Sequence, residues 1–212
     1  AAVFPTGDAV WLSEPSAGVT RWAERDAAEV VGVVAAGFLG RDTSPETEDE
    51  PWVLSPDGTF STLEIASVLR DGNSSPFRFA ALGAQTLFVA FDGLAMDLWR
   101  SDGTAAGTVR AEGDRVLHPL YGWAEVAGGT FVVAGRPASR FDLGESALYF
   151  VDATTLRARR LDSNVRVALA SPISVGSKVV FQGCGVEGCE PWVSDGTVAG
   201  THVLADLVPG TQ

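Results

Sequence analysis

The chain has 212 residues, 46% apolar and 20% charged, with 24 glycines and 11 prolines, a composition that suits one compact domain with a sizeable core and many short strands. Its net charge of −12 argues against nucleic acid and anionic lipid as partners, because binding phosphates calls for a basic stripe, and the densest basic cluster, Arg157, Arg159 and Arg160, has the alternation of a single strand. The longest uncharged apolar run, residues 30–40, is about half of what a membrane span requires, and the opening AAVFPTGD has neither the basic start nor the apolar core of a signal peptide, so it reads as a mature terminus or a fragment boundary.

In chain order, residues 1–4 and 9–13 read as strands around the turn cluster 5–8, and residues 19–23 as a third. Next come strands at 29–34, 36–39, 52–54 and 61–68, with a polar loop over 41–50 in which Glu46, Glu48, Asp49 and Glu50 read as a solvated tip. Residues 27–39 are alanine-rich enough for a helix, but Val30, Val31, Val33 and Val34 are β-branched and two glycines interrupt the run, which favours strands. Four short strands follow at 78–82, 86–91, 96–101 and 108–111, the middle two joined by the turn Asp92-Gly93. Four more lie at 121–126, 130–134, 147–151 and 156–161, and a last four at 166–170, 178–182, 190–194 and 201–207.

These strands repeat. The aromatic anchors Trp11, Trp52, Trp99, Tyr149 and Trp192 are separated by 41, 47, 50 and 43 residues, a period of about 45. A turn follows each anchor: Ser101-Asp102-Gly103-Thr104 and Ser194-Asp195-Gly196-Thr197 in the two clean copies, Asp57-Gly58-Thr59 in the second, Asp152-Ala153-Thr154 in the fourth and only Ser13-Glu14 in the first. Asp-Gly between apolar runs predicts a type I′ hairpin turn with both central residues at positive φ. In the third and fifth repeats Phe88 and Phe181 lie 11 residues before the tryptophan.

Four antiparallel strands per repeat, with no helical pattern between them, predict an all-β fold: a five-bladed β-propeller forming a single domain over residues 1–212, with repeats at about 1–26, 27–70, 71–114, 115–163 and 164–212. A β-sandwich would not repeat one Trp-turn motif five times, and the rungs of a β-helix are about half this long. The anchors are expected on the third strand of each blade, packed between neighbouring blades. Trp22 and Trp123 lie off the repeat position and are the candidate exposed binding aromatics. The first blade is expected to be incomplete, because Phe4 lies just 7 residues before Trp11 and leaves no room for an inner strand. A neighbouring segment or partner chain is expected to supply that strand by β-augmentation, making the chain a piece of a longer polypeptide or an assembly subunit.

Residues 190–210, EPWVSDGTVAGTHVLADLVPG, and residues 97–108 carry the pattern [ED]-[LP]-W-x-S-D-G-T-x-A-G-T, which in the first of them runs on into Asp-Leu-x-Pro-Gly. The pattern resembles the ELWxxDGTxxGT repeats of bacterial secreted and surface proteins. The first and fourth copies depart from it, with Pro15 and Ala153 at the turn glycine. The resemblance implies a propeller-like, exported, non-catalytic repeat protein and brings no catalytic residues.

The residues add little chemistry of their own. His118 and His202 are the only histidines, and no metal-ligand spacing joins them to each other or to the cysteines. There is no nucleophile elbow, phosphate-binding loop or dinucleotide fingerprint, and the Asp-Gly-Thr turns lack calcium-loop spacing. No cofactor is expected. Cys184 and Cys189 face each other across a hairpin and suit a disulfide, hence an oxidising, exported location, whereas a redox or metal pair would want a C-x-x-C spacing. Two function classes follow. One is a binding or scaffolding module at the bacterial exterior that recognises a protein or glycan through its loops. The alternative is a glycan-active enzyme of sialidase or glycosidase type, built on paired carboxylates.

Overall fold

A computed structural model describes residues 2–6, 9–14, 18–24, 28–42, 50–65, 73–116, 120–136, 145–161, 165–168, 170–185, 188–207 and 209; up to residue 28, and at 42 and 136, it describes the backbone alone. The strands fall into two compact units, Ala1–Arg110 and Ala111–Gln212. Among the described residues there are no helices, so the stretch at 27–39 resolves to strands, as its β-branched residues favour.

The first unit holds three antiparallel sheets. The first sheet has three strands, β1 (Ala2–Thr6), β2 (Ala9–Glu14) and β3 (Gly18–Glu24), in that spatial order. The second is β4 (Ala28–Val34), β5 (Gly37–Asp42), β6 (Pro51–Leu54) and β7 (Phe60–Thr62). The third is β8 (Phe77–Leu82), β9 (Gln85–Phe91), β10 (Met96–Ser101) and β11 (Val109–Arg110).

The second unit holds two sheets of five strands where four each are expected. In the fourth sheet β13 (Leu120–Val126), β14 (Gly129–Arg136), β15 (Glu145–Asp152) and β16 (Arg157–Arg160) form the antiparallel set, and the two-residue β12 (Glu112–Gly113) adds to β16 in parallel. In the fifth, the inner strand expected at 166–170 is split into β17 (Arg166–Val167) and β18 (Ile173–Val175), both pairing with β19 (Lys178–Gly185); β20 (Gly188–Ser194) and β21 (His202–Val203) complete it.

Four anchors occupy the third strand of their sheets, as expected: Trp52 on β6, Trp99 on β10, Tyr149 on β15 and Trp192 on β20. Trp11 lies on β2, the second of three, so in the described residues the first sheet lacks the inner strand of the others. The 11-residue Phe-Trp spacing is a cross-strand pairing: Phe88 opposes Trp99 and Phe181 opposes Trp192.

Both faces of β6, β9, β14 and β15 are buried, which explains their continuous apolar runs. Leu87 to Ala90 and Phe131 to Ala134 are fully buried. The outermost strands are short and exposed, so β7 and β21 stop well before the sequence pattern does. Ending them early limits an edge that could pair with other chains.

Three expectations need correction. The Asp-Gly turns are not type I′: Gly58, Gly103 and Gly196 sit at φ +86°, +90° and +88°, but no aspartate shares the positive region. The acidic loop tip ends on a buried residue, for Glu50 is 1% exposed and accepts hydrogen bonds from the Ile65 amide (3.1 Å) and the Ser74 hydroxyl (2.7 Å). Trp99 and Trp192 are half-buried, as is Trp123, so anchor and off-register tryptophans are not separated by burial there. The side chains of Trp11 and Trp22 lie outside the described residues, as do His118 and the loop residues Glu46, Glu48 and Asp49.

Candidate functional site

The repeat motif builds one loop twice, between β10 and β11 and between β20 and β21. Asp102 Oδ1 accepts the Thr104 amide (2.9 Å) and hydroxyl (2.8 Å), and Asp195 does the same with Thr197 (2.9 and 2.7 Å). The Thr104 hydroxyl accepts the Gly107 amide, and that of Thr197 the Gly200 amide, each at 2.9 Å. Ser101 Oγ lies 2.8 Å from Thr108 Oγ1 and accepts the Gly103 amide; Ser194, Thr201 and Gly196 repeat the arrangement. The second glycine of the motif answers to space, because a Cβ on Gly107 or Gly200 would lie 2.0 Å from the Asp102 or Asp195 carboxylate.

The degenerate copies keep the aspartate's part of this network. Asp57 Oδ1 accepts the Thr59 amide, and Asp152 Oδ1 accepts the amides of Thr154 and Thr155. Where Ala153 replaces glycine, the positive-φ position moves to Leu156, at +59°. The turn Asp92-Gly93 works alike, its carboxylate accepting the Leu94 and Ala95 amides while also pairing with Arg110.

Hydrogen bonds to the ionised form hold all four repeat aspartates below the usual value near 3.8. For Asp102 and Asp195 the threonine hydroxyl is the main cause; for Asp57 and Asp152 it is a backbone amide, from Thr59 and Thr155. Because the folded values are depressed, the stabilisation is complete above the unfolded value and is lost as pH falls from there through the lower folded value. Stability should therefore decline from about pH 5 downward. Asp102→Asn with Asp195→Asn, which keeps an oxygen acceptor but cannot titrate, should flatten that decline; an unchanged plot of urea midpoint against pH would contradict the assignment.

The loops also join sheets. The first motif glycine lies against the sheet before it: a Cβ on Gly103 would come within 2.6 Å of Val34 and 2.8 Å of Ala36, and the Ala36 amide donates to the Asp102 carbonyl (3.2 Å). Gly196 lies against the Phe150 ring, 3.1 Å from where its Cβ would be, and the Arg159 guanidinium donates to its carbonyl. The acidic residue two before the anchor fastens the chain beyond the sheet's last strand, Glu50 through Ile65 and the buried Glu190 through the Leu207 amide (2.9 Å). From the sequence Glu50 reads as a solvated tip and Glu190 only as part of the repeat pattern, though their recurrence at one offset from the anchor was the available signal.

Of the remaining candidates, Cys184 and Cys189 are disulfide-bonded partners on β19 and β20, as expected. With 5 residues of separation the closed loop is small. Replacing both with serine should cost about 2 kcal/mol by loop-closure entropy. Thiol titration of the unreduced, unfolded protein should find no free thiol, and a full count of two would refute the pairing. Arg157, Arg159 and Arg160 form β16 and are engaged, Arg157 with Glu112 (2.7 Å) and the Arg160 amide with Asp114 (2.8 Å). Trp123, on β13, is half-buried rather than exposed, and His202 is an exposed residue of β21.

Among the described residues no group of three His, Cys, Asp or Glu side chains is placed to hold a metal, and no helix is long and apolar enough to cross a membrane. A cavity of about 530 Å³ opens on the fifth sheet, lined by Ile173, Val180, Gln182, Glu190, Pro191 and Leu207 among others.

No protein-family model matches the chain, and no curated protein does. Solved structures do. A puromycin hydrolase S511A mutant complexed with PGG shares 16% identity over 87% of this chain and 30% of its own, with a TM-score of 0.52. Puromycin hydrolase itself shares 14% over 93% and 31%, with a TM-score of 0.53. TolB from Acinetobacter baumannii shares 14% over 94% and 49%, with a TM-score of 0.47. The chain thus spans about a third of the hydrolase and half of TolB. The likeness to the hydrolase is one of fold, an all-β, propeller-like arrangement of antiparallel sheets.

Proposed function

We propose that the five sheets are successive blades of a β-propeller. The chain is a non-catalytic binding or scaffolding module of an exported or surface-held bacterial protein, recognising a protein or a glycan through the loops at one end of its blades. The observation that carries this reading is the use made of the motif's polar groups. Asp102, Thr104, Ser101 and Thr108, with their counterparts Asp195, Thr197, Ser194 and Thr201, bond to one another and to their own loop's amides. A carboxylate engaged in this way, with its proton affinity lowered, is poorly suited to general acid or base work at neutral pH. Its role is to hold a rigid frame from which the more variable loops project. The Cys184–Cys189 disulfide supports an oxidising compartment, and the motif's resemblance to bacterial surface repeats supports the exterior of the cell.

A glycan array run beside a pull-down from the native envelope tests this. The expected result is selective retention of one glycan class or one envelope protein, with no turnover of sialosides, aryl glycosides or short peptides. Release of product from any of these, stopped by substituting an engaged carboxylate, would replace the reading with an enzyme.

A further inference from the structure

The Cys184–Cys189 disulfide does little that the backbone around it does not already do. β19 and β20 pair residue by residue from Val179 and Ser194 to Gly185 and Gly188, so main-chain ladder closes their hairpin on both sides of the bond. The two cysteines are separated by 5 residues, and the smaller the loop a disulfide closes, the less freedom it removes from the unfolded chain. The two sulfurs also stand in unequal surroundings. Cys184, on β19 between β17 and β20, is 8% exposed, whereas Cys189 is an exposed residue of β20. Cys189 lines the cavity of about 530 Å³ together with Gln182 and Pro191, and among the described residues Cys184 does not.

The register extends this pair by one strand. Arg166 on β17 opposes Cys184 as Cys184 opposes Cys189, so the three residues form one row across the sheet with their side chains on one face. Directly opposed residues have Cβ atoms about 4.5–5.5 Å apart, which sets the Arg166 side chain beside Cys184 on the side away from Cys189. The nearest described carboxylate along β20, Glu190, belongs to the opposite face, where it accepts the Leu207 amide (2.9 Å).

We propose that this disulfide is a thiol-exchange site, with Cys189 the sulfur attacked, Cys184 the leaving group and a low-molecular-weight thiol the co-reactant. The incoming thiolate bonds to Cys189 Sγ, the bond between the two cysteines breaks, and its electron pair leaves on Cys184 as a thiolate. A mixed disulfide remains on Cys189. The step runs in reverse when the Cys184 thiolate attacks Cys189 and expels the thiol, and the intact β19–β20 ladder keeps the two residues opposed for that return. Exchange is governed by access to the attacked sulfur and by the stability of the departing thiolate. Exposure and the adjoining cavity favour attack at Cys189, and the Arg166 guanidinium stabilises the negative charge that develops on Cys184.

The test incubates the native chain with 2-mercaptoethanol at mildly alkaline pH, traps free thiols with N-ethylmaleimide and maps both cysteines by mass spectrometry. The mercaptoethanol adduct is expected on Cys189 and the maleimide on Cys184, with the circular dichroism spectrum unchanged. An adduct mainly on Cys184 or divided equally between the two would overturn the proposal, as would exchange confined to urea concentrations that unfold the chain. Arg166→Gln should slow adduct formation several-fold without moving the urea midpoint, and Arg166→Lys should restore most of the rate; a rate indifferent to this charge would sink the leaving-group assignment. Single-cysteine chains serve if the adduct recloses too fast to trap. Toward dithionitrobenzoate, Cys189 in the Cys184→Ser chain should react about tenfold faster than Cys184 in the Cys189→Ser chain, and equal rates would count against the proposal.

Discussion

Replacing Trp52 by alanine is expected to cost the protein about 3–5 kcal/mol, the range for a large aromatic removed from a packed interior. Trp52 is 0% exposed on β6. It opposes Gly40, where a Cβ would lie 2.1 Å from its ring, and its ring centroid is 4.6 Å from that of Phe60. Gly40 has no side chain to move into the space left behind, so the cavity would persist and the loss should fall in the upper part of the range. Trp52→Phe should be far milder. The Trp52 Nε1 is buried without a hydrogen-bond partner among the described residues, so phenylalanine removes an unpaired donor along with the lost ring area. Trp99→Ala should cost less than Trp52→Ala, because Trp99 is only half-buried. Urea unfolding followed by circular dichroism would rank the three; equal losses for Trp52→Phe and Trp52→Ala would contradict this account.

The second large effect concerns the motif glycine. Gly103→Ala is expected to cost about 2–5 kcal/mol, from a left-handed backbone unsuited to a Cβ and from overpacking against Val34 and Ala36. Gly176 supplies the control. It also has positive φ, +63°, but nothing lies within 4 Å of where its Cβ would be. Gly176→Ala should therefore show the backbone effect alone, about 1–2 kcal/mol. If the two substitutions cost the same, the contact between the third and second sheets contributes nothing and the loop's role is confined to its own sheet.

Much of the architecture was legible because it depends on near neighbours in the chain. The spacing of Phe88 to Trp99 and of Phe181 to Trp192 is the path length of one hairpin, so cross-strand partners follow directly from it. The same holds for Cys184 and Cys189, whose pairing needs only the hairpin between them. The turn aspartates were recognised but given the wrong chemistry. Asp-Gly suggested a two-residue turn, whereas the loop from Ser101 to Thr108 runs to the motif's second threonine, which pairs with the serine at the other end. The motif's length, rather than its central dipeptide, held that information.

By itself the sequence determined an all-β chain of recurring strand-turn-strand units, the strand that carries four of the anchors and the disulfide, since alternation, turn residues and spacing act within one repeat. Only the tertiary structure decided which polar residues are buried, why the glycines are required and which face of each sheet is covered. Glu50 reads as one more acid in an acidic run until the chain returns Ile65 and Ser74 to it. Gly103 reads as a turn glycine until Val34, from the previous repeat, closes over it. Those contacts join residues of different repeats or of distant parts of one, and no pattern within a single stretch of sequence states which of the possible partners will meet.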